Sequence, residues 1–145
     1  LKNTSNITIK SGSIRKLLDY DPNTAIQELG HPYLMIGKVI SGEKRGKLLG
    51  YPTANLLLPK RKCIPQTGVY KGYVDAKKPA IIYIGSKPTF QGTKLGVEVH
   101  LLDSSDILYN KRLAVSLEQK IRDELKFESA QRLQAQIKAD IKTWF

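Results

Sequence analysis

Short runs of alternating apolar and polar residues fill the middle of the chain, and helical spacing appears towards its two ends. Ile7 and Ile9 alternate with Thr8 and Lys10, a brief strand pattern. Ser11-Gly12-Ser13 reads as a loop ending in a helix N-cap, and Ile14, Leu17 and Leu18 follow at helical spacing. Asp21-Pro22-Asn23 reads as a turn, and Thr24 to Leu29 as a second short helix stopped by Gly30. From Tyr33 the texture changes. Tyr33 to Ser41, Gly68 to Asp75, Ala80 to Gly85, Leu95 to Leu102 and Leu113 to Leu117 are rich in β-formers and punctuated by Gly, Pro, Asn or Asp. Several short strands at close spacing predict an all-β barrel or sandwich. A parallel βαβ sheet would need helical patterns between the strands, and none is visible. At the end of the chain Ala130, Leu133, Ile137, Ile141 and Trp144 recur at steps of three or four residues, with Ser129 as N-cap. This predicts a helix whose apolar stripe packs on the barrel, while Gln131, Gln134, Lys138 and Lys142 face water.

Length changes this picture little: 145 residues make one ordinary domain with room for a real core and a short appended piece. The single cysteine, Cys63, excludes an intrachain disulfide and a cysteine zinc site, and fits a reducing compartment. Its default role is a packed structural thiol. No apolar run approaches the ~18 residues of a membrane span, and no signal peptide is visible, so a cytoplasmic location is expected. The chain starts at Leu1 and is expected to be a piece of a longer protein.

Charge is more informative. The formal net charge is +11, and Lys38 to Lys62 holds seven basic residues against one acid, Glu43. Such a stretch favours anionic partners. A small phosphorylated ligand and a nucleic acid both qualify, and a solvated face with no partner is the plainer reading. The aromatic–basic interleaving that stacks single-stranded bases is absent. Lys60-Arg61-Lys62 and Lys77-Lys78 read as solvated loop charges.

Inside this basic stretch lies GKLLGYPTAN, Gly46 to Asn55. Glycines let a backbone approach a ligand closely, and successive N–H groups in such a turn can cradle phosphate oxygens beside Lys47. Pro52 restricts the backbone just ahead of Thr53 and Asn55. If the segment is extended, those two residues share a face, and a hydroxyl with an amide oxygen can hold Mg²⁺ that keeps waters and phosphates as its other ligands. An ordinary turn remains the alternative. The P-loop pattern is excluded, because Gly42 and Gly46 are separated by three residues and Leu48 follows Lys47. Further on, Val97-Glu98-Val99-His100-Leu101 alternates, placing Glu98 and His100 on the face opposite the three apolar residues. The pattern alone favours a strand carboxylate in water, and a structural histidine for His100.

Gly37 to Leu56, GKVISGEKRGKLLGYPTANL, resembles the riboflavin kinase signature G-x-V-x-x-G-x-x-x-G-(R/K)-x-L-G-(F/Y)-P-T-A-N. Gly68-Val69-Tyr70, Ile84 to Phe90, Val97 to His100, Asp106 to Tyr109, Ile121 to Glu124 and Lys126-Phe127 continue the resemblance in order, over about residues 33 to 145. It implies a mainly β fold, a six-stranded antiparallel Greek-key barrel with a C-terminal helix. It implies ATP and riboflavin as substrates, FMN and ADP as products, and Mg²⁺ as cofactor, with Mn²⁺ and Zn²⁺ as alternatives. Glu98 occupies the position of the general base. Gly42, Gly46, Lys47, Gly50, Pro52, Thr53, Asn55 and Tyr109 fall at ATP and phosphate positions, with Thr53 and Asn55 also at the metal. Arg122 and Phe127 fall beside the flavin. Three residues depart from the pattern: Asn110 for glycine, Lys87 for arginine and Leu125 for a polar residue.

Ser11 to Arg15 and Leu29-Gly30-His31-Pro32-Tyr33 resemble the tail of the FMN adenylyltransferase module that precedes the kinase in bacterial bifunctional FAD synthetases. Residues 1–32 are therefore expected to be a remnant of that module or its linker, and 33–145 the kinase domain. The nucleotidyl-transfer motif is absent, so no adenylyl transfer is expected. Partners are then riboflavin, ATP and the covalently linked adenylyltransferase module, with neither nucleic acid nor membrane. A flavin- or nucleotide-binding module without catalysis is the first alternative, and an OB-like nucleic-acid-binding barrel the second.

Overall fold

The β-rich runs in the middle of the chain pair into one closed sheet. A computed structural model describes residues 11–40, 53–89, 92–102 and 111–144. In chain order the elements are helices α1 (Ser11–Tyr20) and α2 (Pro22–Leu29), strands β1 (Tyr33–Ile40), β2 (Thr53–Leu57), β3 (Gly68–Val74), β4 (Lys78–Thr89), β5 (Gly92–Leu101) and β6 (Arg112–Arg122), and helix α3 (Ala130–Lys142). The strands close antiparallel in the order β1-β2-β5-β4-β3-β6. β3, β4 and β5 are successive neighbours and β6 returns beside β3, which is the Greek-key arrangement. The expected mainly β, six-stranded barrel with a C-terminal helix and a short helical N-terminal part is thus observed.

Alternation decides what fills the barrel. Met35 and Val39 of β1, Ala80, Ile82 and Ile84 of β4, Val97, Val99 and Leu101 of β5, and Leu113, Val115 and Leu117 of β6 form one core. Tyr70 is fully buried among them and donates its hydroxyl to the Gln66 carbonyl at 2.7 Å, so its polar tip is satisfied. Ile26 of α2 joins the same core, while Ile14, Leu18 and Ala25 pack in a second cluster with Leu29, Tyr33 and Cys63. Polar contacts fasten these helices to the barrel. Asn23 donates to the Lys120 carbonyl at 3.1 Å and accepts from the Lys120 N–H at 2.7 Å, and the Gln66 N–H donates to the Leu18 carbonyl at 2.7 Å. Cys63 is the packed free thiol expected of it.

The boundaries differ from expectation where backbone chemistry outweighs side-chain pattern. Helix α1 already includes Ser11-Gly12-Ser13. The first-turn N–H groups have no intrahelical partner, so small residues are tolerated there. Helix α2 starts at Pro22: Asp21 is the N-cap, accepting from the Thr24 N–H at 3.3 Å, and Pro22 takes a first-turn position where its missing N–H costs nothing. Gly30 ends this helix in the left-handed region, and Ser129 caps α3, both as expected. Strands β4 and β5 run on past Gly85, pairing from Gly85↔Gly96 to Thr89↔Gly92, because a hairpin ladder needs backbone groups and not an apolar pattern. Lys62, read as a solvated charge, instead places its Nζ 4.5 Å from the centre of the Tyr33 ring.

Gly72 marks the tightest approach between strands. A Cβ there would lie 1.9 Å from the Ser116 carbonyl oxygen of β6, beside a register shift in the β3–β6 pairing. Backbone cannot rotate away as a side chain can. Gly72→Ala is therefore expected to destabilise the fold by about 3 kcal/mol or more, measured by denaturant unfolding. A midpoint within experimental error of wild type would show that β3 and β6 separate more easily than this packing implies.

Candidate active site on the outer wall of the barrel

The interior packing of β5 dictates where its polar residues go. With Val97, Val99 and Leu101 in the core, Glu98 and His100 must point outward. They are not in water, however. The Glu98 side chain is 12% exposed and that of His100 5%, so the expectation of a solvated strand carboxylate is corrected. The cause is a second layer: the segment after β6 and helix α3 lie over this wall. Ile137 of α3 is buried, Trp144 stacks edge-on against Tyr73 at 4.9 Å, and its ring nitrogen donates to the Ala80 carbonyl at 3.1 Å. The apolar stripe of the last helix therefore packs on the barrel as its spacing predicts.

Strand register assembles the rest. β2 pairs with β5 so that Asn55 lies opposite Glu98 and Thr53 opposite His100. On the other side of β5, β4 places Tyr83 opposite Glu98 and Ile81 opposite His100. The His100 Nε2 is 3.2 Å from Glu98 Oε1, and its ring lies 4.6 Å from that of Tyr83. This contact is close without being an aligned hydrogen bond: Glu98 Oε1 and His100 Nδ1 are buried and have no hydrogen-bonding partner among the described residues. His100 is thus not the fully satisfied structural histidine expected. Buried oxygens without a donor are costly, and such an atom beside a cavity is suited to a ligand's proton or cation.

The cavity is there. It has a volume of about 900 Å³ and is lined by Glu98, His100, Tyr83, Arg122 and Phe127, with Gly85 and Gly96 among the backbone that borders it. Gly85 and Gly96 are register partners, so two adjacent strands present bare backbone at one level. Glu124 reaches over this patch: a Cβ on Gly85 would lie 2.8 Å from its Oε1.

One wall is held by charge. Asp140 of α3 is 2% exposed and accepts from Arg122 Nε at 2.8 Å, Arg122 Nη2 at 2.9 Å, Tyr83 Oη at 3.0 Å and Gln136 Nε2 at 3.1 Å. The Arg122 guanidinium also lies 5.9 Å from the Phe127 ring centre and 6.0 Å from that of Tyr83. Burial pushes the Tyr83 phenol well above the usual tyrosine range, and the Asp140 charge and hydrogen bond add to the effect.

Of the residues picked out in the sequence, Asn55, Glu98, Arg122 and Phe127 are described, and Glu98, Arg122 and Phe127 line one cavity. Thr53 begins β2 beside them in register. Gly42, Gly46, Lys47, Gly50, Pro52 and Tyr109 lie outside the described residues. Sequence reasoning missed Tyr83 and Asp140. A signal for Asp140 was present: it sits three residues after Ile137 and four before Trp144, a carboxylate on the apolar stripe of its helix.

The family model for riboflavin kinase, also called flavokinase, matches residues 29–144. The chain belongs to the riboflavin kinase family. It is 39% identical over 140 residues to the bifunctional riboflavin kinase/FMN adenylyltransferase of Escherichia coli K12, covering 92% of this chain and 44% of that protein. The proteins of the same name from Pseudomonas fluorescens and Bacillus subtilis are 40% and 37% identical, over 93% and 91% of this chain and 45% and 44% of theirs. The chain thus spans less than half the length of these curated relatives. A crystal structure from Streptococcus pneumoniae, described as a macrolide-efflux protein, superposes with a TM-score of 0.85 at 34% identity, covering 98% of this chain and 48% of that one. Among the described residues no helix is long and apolar enough to cross a membrane.

The buried phenols carry a pH signature. Burial raises Tyr33 to about 12 and also raises Tyr70 and Tyr83. In the unfolded chain these groups ionise near ~10, so between the two values the folded state binds more protons. Their contribution to stability is complete below the unfolded value and is lost as pH rises through the folded one. These groups are expected to leave the thermal midpoint unchanged between neutral pH and about pH 10 and then to lower it steeply, with ultraviolet absorbance showing late tyrosinate formation that accompanies unfolding. Ionisation of all tyrosines near their free value without loss of structure would contradict this burial.

Proposed function

We propose that the chain is an ATP-dependent riboflavin kinase, transferring the γ-phosphoryl group of ATP to the ribityl 5′-hydroxyl of riboflavin to give FMN and ADP. Family membership supports the reaction class, and one observation carries the assignment of roles. The register sets Asn55 opposite Glu98 and Thr53 opposite His100, so the end of the phosphate-side motif neighbours a buried carboxylate oxygen that has no hydrogen-bond donor among the described residues. Phosphoryl transfer asks little covalent work of a protein. It needs positioning, charge compensation and a base at the attacking hydroxyl.

Glu98 supplies the base. Its carboxylate accepts the hydroxyl proton as the new oxygen–phosphorus bond forms and the bond from the γ-phosphorus to the β,γ-bridging oxygen breaks, with the electron pair leaving on ADP. His100 approaches the same Glu98 oxygen from within the sheet and limits where the carboxylate can swing. Arg122 and Phe127 border the space for the acceptor's flat ring system, together with Gly96 and with Glu124 over Gly85. Gly42, Gly46, Lys47, Gly50, Pro52 and Tyr109 are assigned to the nucleotide through the family signature. Thr53 and Asn55 offer a hydroxyl and an amide oxygen, hard donors that fit Mg²⁺ better than a softer metal. When bound, Mg²⁺ would offset the charge of the phosphate oxygens during transfer.

Residues 33–145 are read as the kinase domain and 1–32 as the end of a preceding adenylyltransferase module. In support, helices α1 and α2 build a cluster largely of their own and dock through Asn23 and Ile26. The chain by itself is expected to make no FAD.

Incubation with riboflavin, ATP and Mg²⁺, followed by separation of the flavins, is expected to give FMN with ADP and to stop on chelation of the metal. FAD in the same reaction would refute the absence of adenylyl transfer. Bound riboflavin without FMN would favour the binding-module reading. Glu98→Gln is expected to lower turnover by about 10²- to 10⁴-fold with ATP binding retained, and a near wild-type rate in that variant would remove Glu98 from the mechanism.

A further inference from the structure

Arg122 has five N–H groups in a rigid plane. Two go to Asp140, from Nε at 2.8 Å and Nη2 at 2.9 Å, and one goes from Nη1 to the Asp123 carbonyl at 3.0 Å. Among the described residues this leaves one N–H on Nη1 and one on Nη2 for a ligand. The side chain cannot turn to present any other edge. Asp140 grips it side-on in a bidentate contact, and Asp140 is itself fixed by Tyr83 and by Gln136 of its own helix. The guanidinium lies near both the Phe127 and Tyr83 rings and lines the cavity that contains Glu98.

We infer that Asp140 is a positioning residue for the acceptor: it fixes Arg122 beside the cavity so that its remaining N–H groups, one on Nη1 and one on Nη2, receive acceptor atoms of a planar heteroaromatic ring. The inference rests on the proposed kinase reading for the identity of that ring as the flavin of riboflavin. Helix α3 thereby belongs to the acceptor site through this carboxylate as well as through Leu133 and Ile137, which line the cavity. A purely structural clamp would have no need of Arg122 beside the cavity, because an apolar pair of similar volume commonly stabilises at least as well as a buried ion pair.

The test uses the full chain and reads riboflavin affinity by quenching of flavin fluorescence, which requires no turnover. Asp140→Asn is expected to weaken riboflavin binding about tenfold, the size of a charge-assisted hydrogen bond misplaced, while ATP affinity stays within about twofold. In an Arg122→Leu background, replacing Asp140 with leucine should weaken riboflavin binding no further. That double replacement removes both charges and serves where Asp140→Asn does not fold. Unchanged riboflavin affinity in Asp140→Asn would overturn the inference, and so would an equal loss on replacing Asp140 when Arg122 is already gone. Failure of the kinase reading shows separately, as wild-type chain that binds riboflavin but forms no FMN.

Discussion

A closed barrel leaves each strand residue two destinations, the interior or the outer wall, and that constraint organises this molecule. Val97, Val99 and Leu101 are needed inside, so Glu98 and His100 are committed to the outside. Closure then fixes the neighbours of Glu98 as well. Asn55 comes to one side from β2 and Tyr83 to the other from β4, and a one-residue slip of either strand would expel its own core residues into solvent. The geometry of the site is thus enforced by hydrophobic burial elsewhere. No polar contact within the site has to be strong enough to hold it together.

An outer wall is normally wet, and Glu98 escapes water because helix α3 covers part of it. What fastens that helix is mixed. Ile137 and Trp144 contribute apolar burial, and Asp140 contributes a charge that accepts four hydrogen bonds. Burying a carboxylate costs several kcal/mol, on the order of what its ion pair returns, so Asp140 adds orientation more than net stability. An apolar residue on this stripe would pack and slide. A carboxylate bound to a planar guanidinium admits one arrangement, and with it one orientation of Arg122 beside the cavity.

The all-β class was legible because its signal is local: β-rich runs, turn residues between them, and a helix-period stripe at the end, which left barrel and sandwich open and passed over β2, so that the six-stranded closure came from the family resemblance. Strand ends were less legible. β4 and β6 extend beyond their apolar runs because ladder hydrogen bonds do not depend on side-chain type. In the site, the alternation around Glu98 correctly separated its face from the core. The same pattern could not say that this face was covered, because the cover arrives from a helix more than thirty residues later. His100 shows the converse. A satisfied structural role was anticipated for it, and the missing partner for Nδ1 depends on distances between strands that no sequence spacing encodes. Asp140 was visible as an anomaly, a charge on an apolar stripe, yet its meaning required Arg122 and Tyr83 from two other elements.

The basic composition acquires a different sense once the site is located. A surface evolved to track a nucleic-acid backbone concentrates cations and stacking rings along a groove. The cavity here has Glu98, Glu124 and Glu128 against Arg122 and Lys126, and the guanidinium of Arg122 is already engaged with Asp140. Three carboxylates at the rim and floor would repel a polyphosphate strand passing over them. A neutral, planar acceptor of the kind proposed avoids that penalty. On the proposed reading, the positive charge that a nucleotide requires comes from the lysine- and arginine-rich stretch that precedes β2 in the sequence. A nearly charge-balanced pocket at Glu98, with basic residues concentrated in a separate stretch of the sequence, is what the proposed transfer between a polyanionic donor and an uncharged acceptor demands.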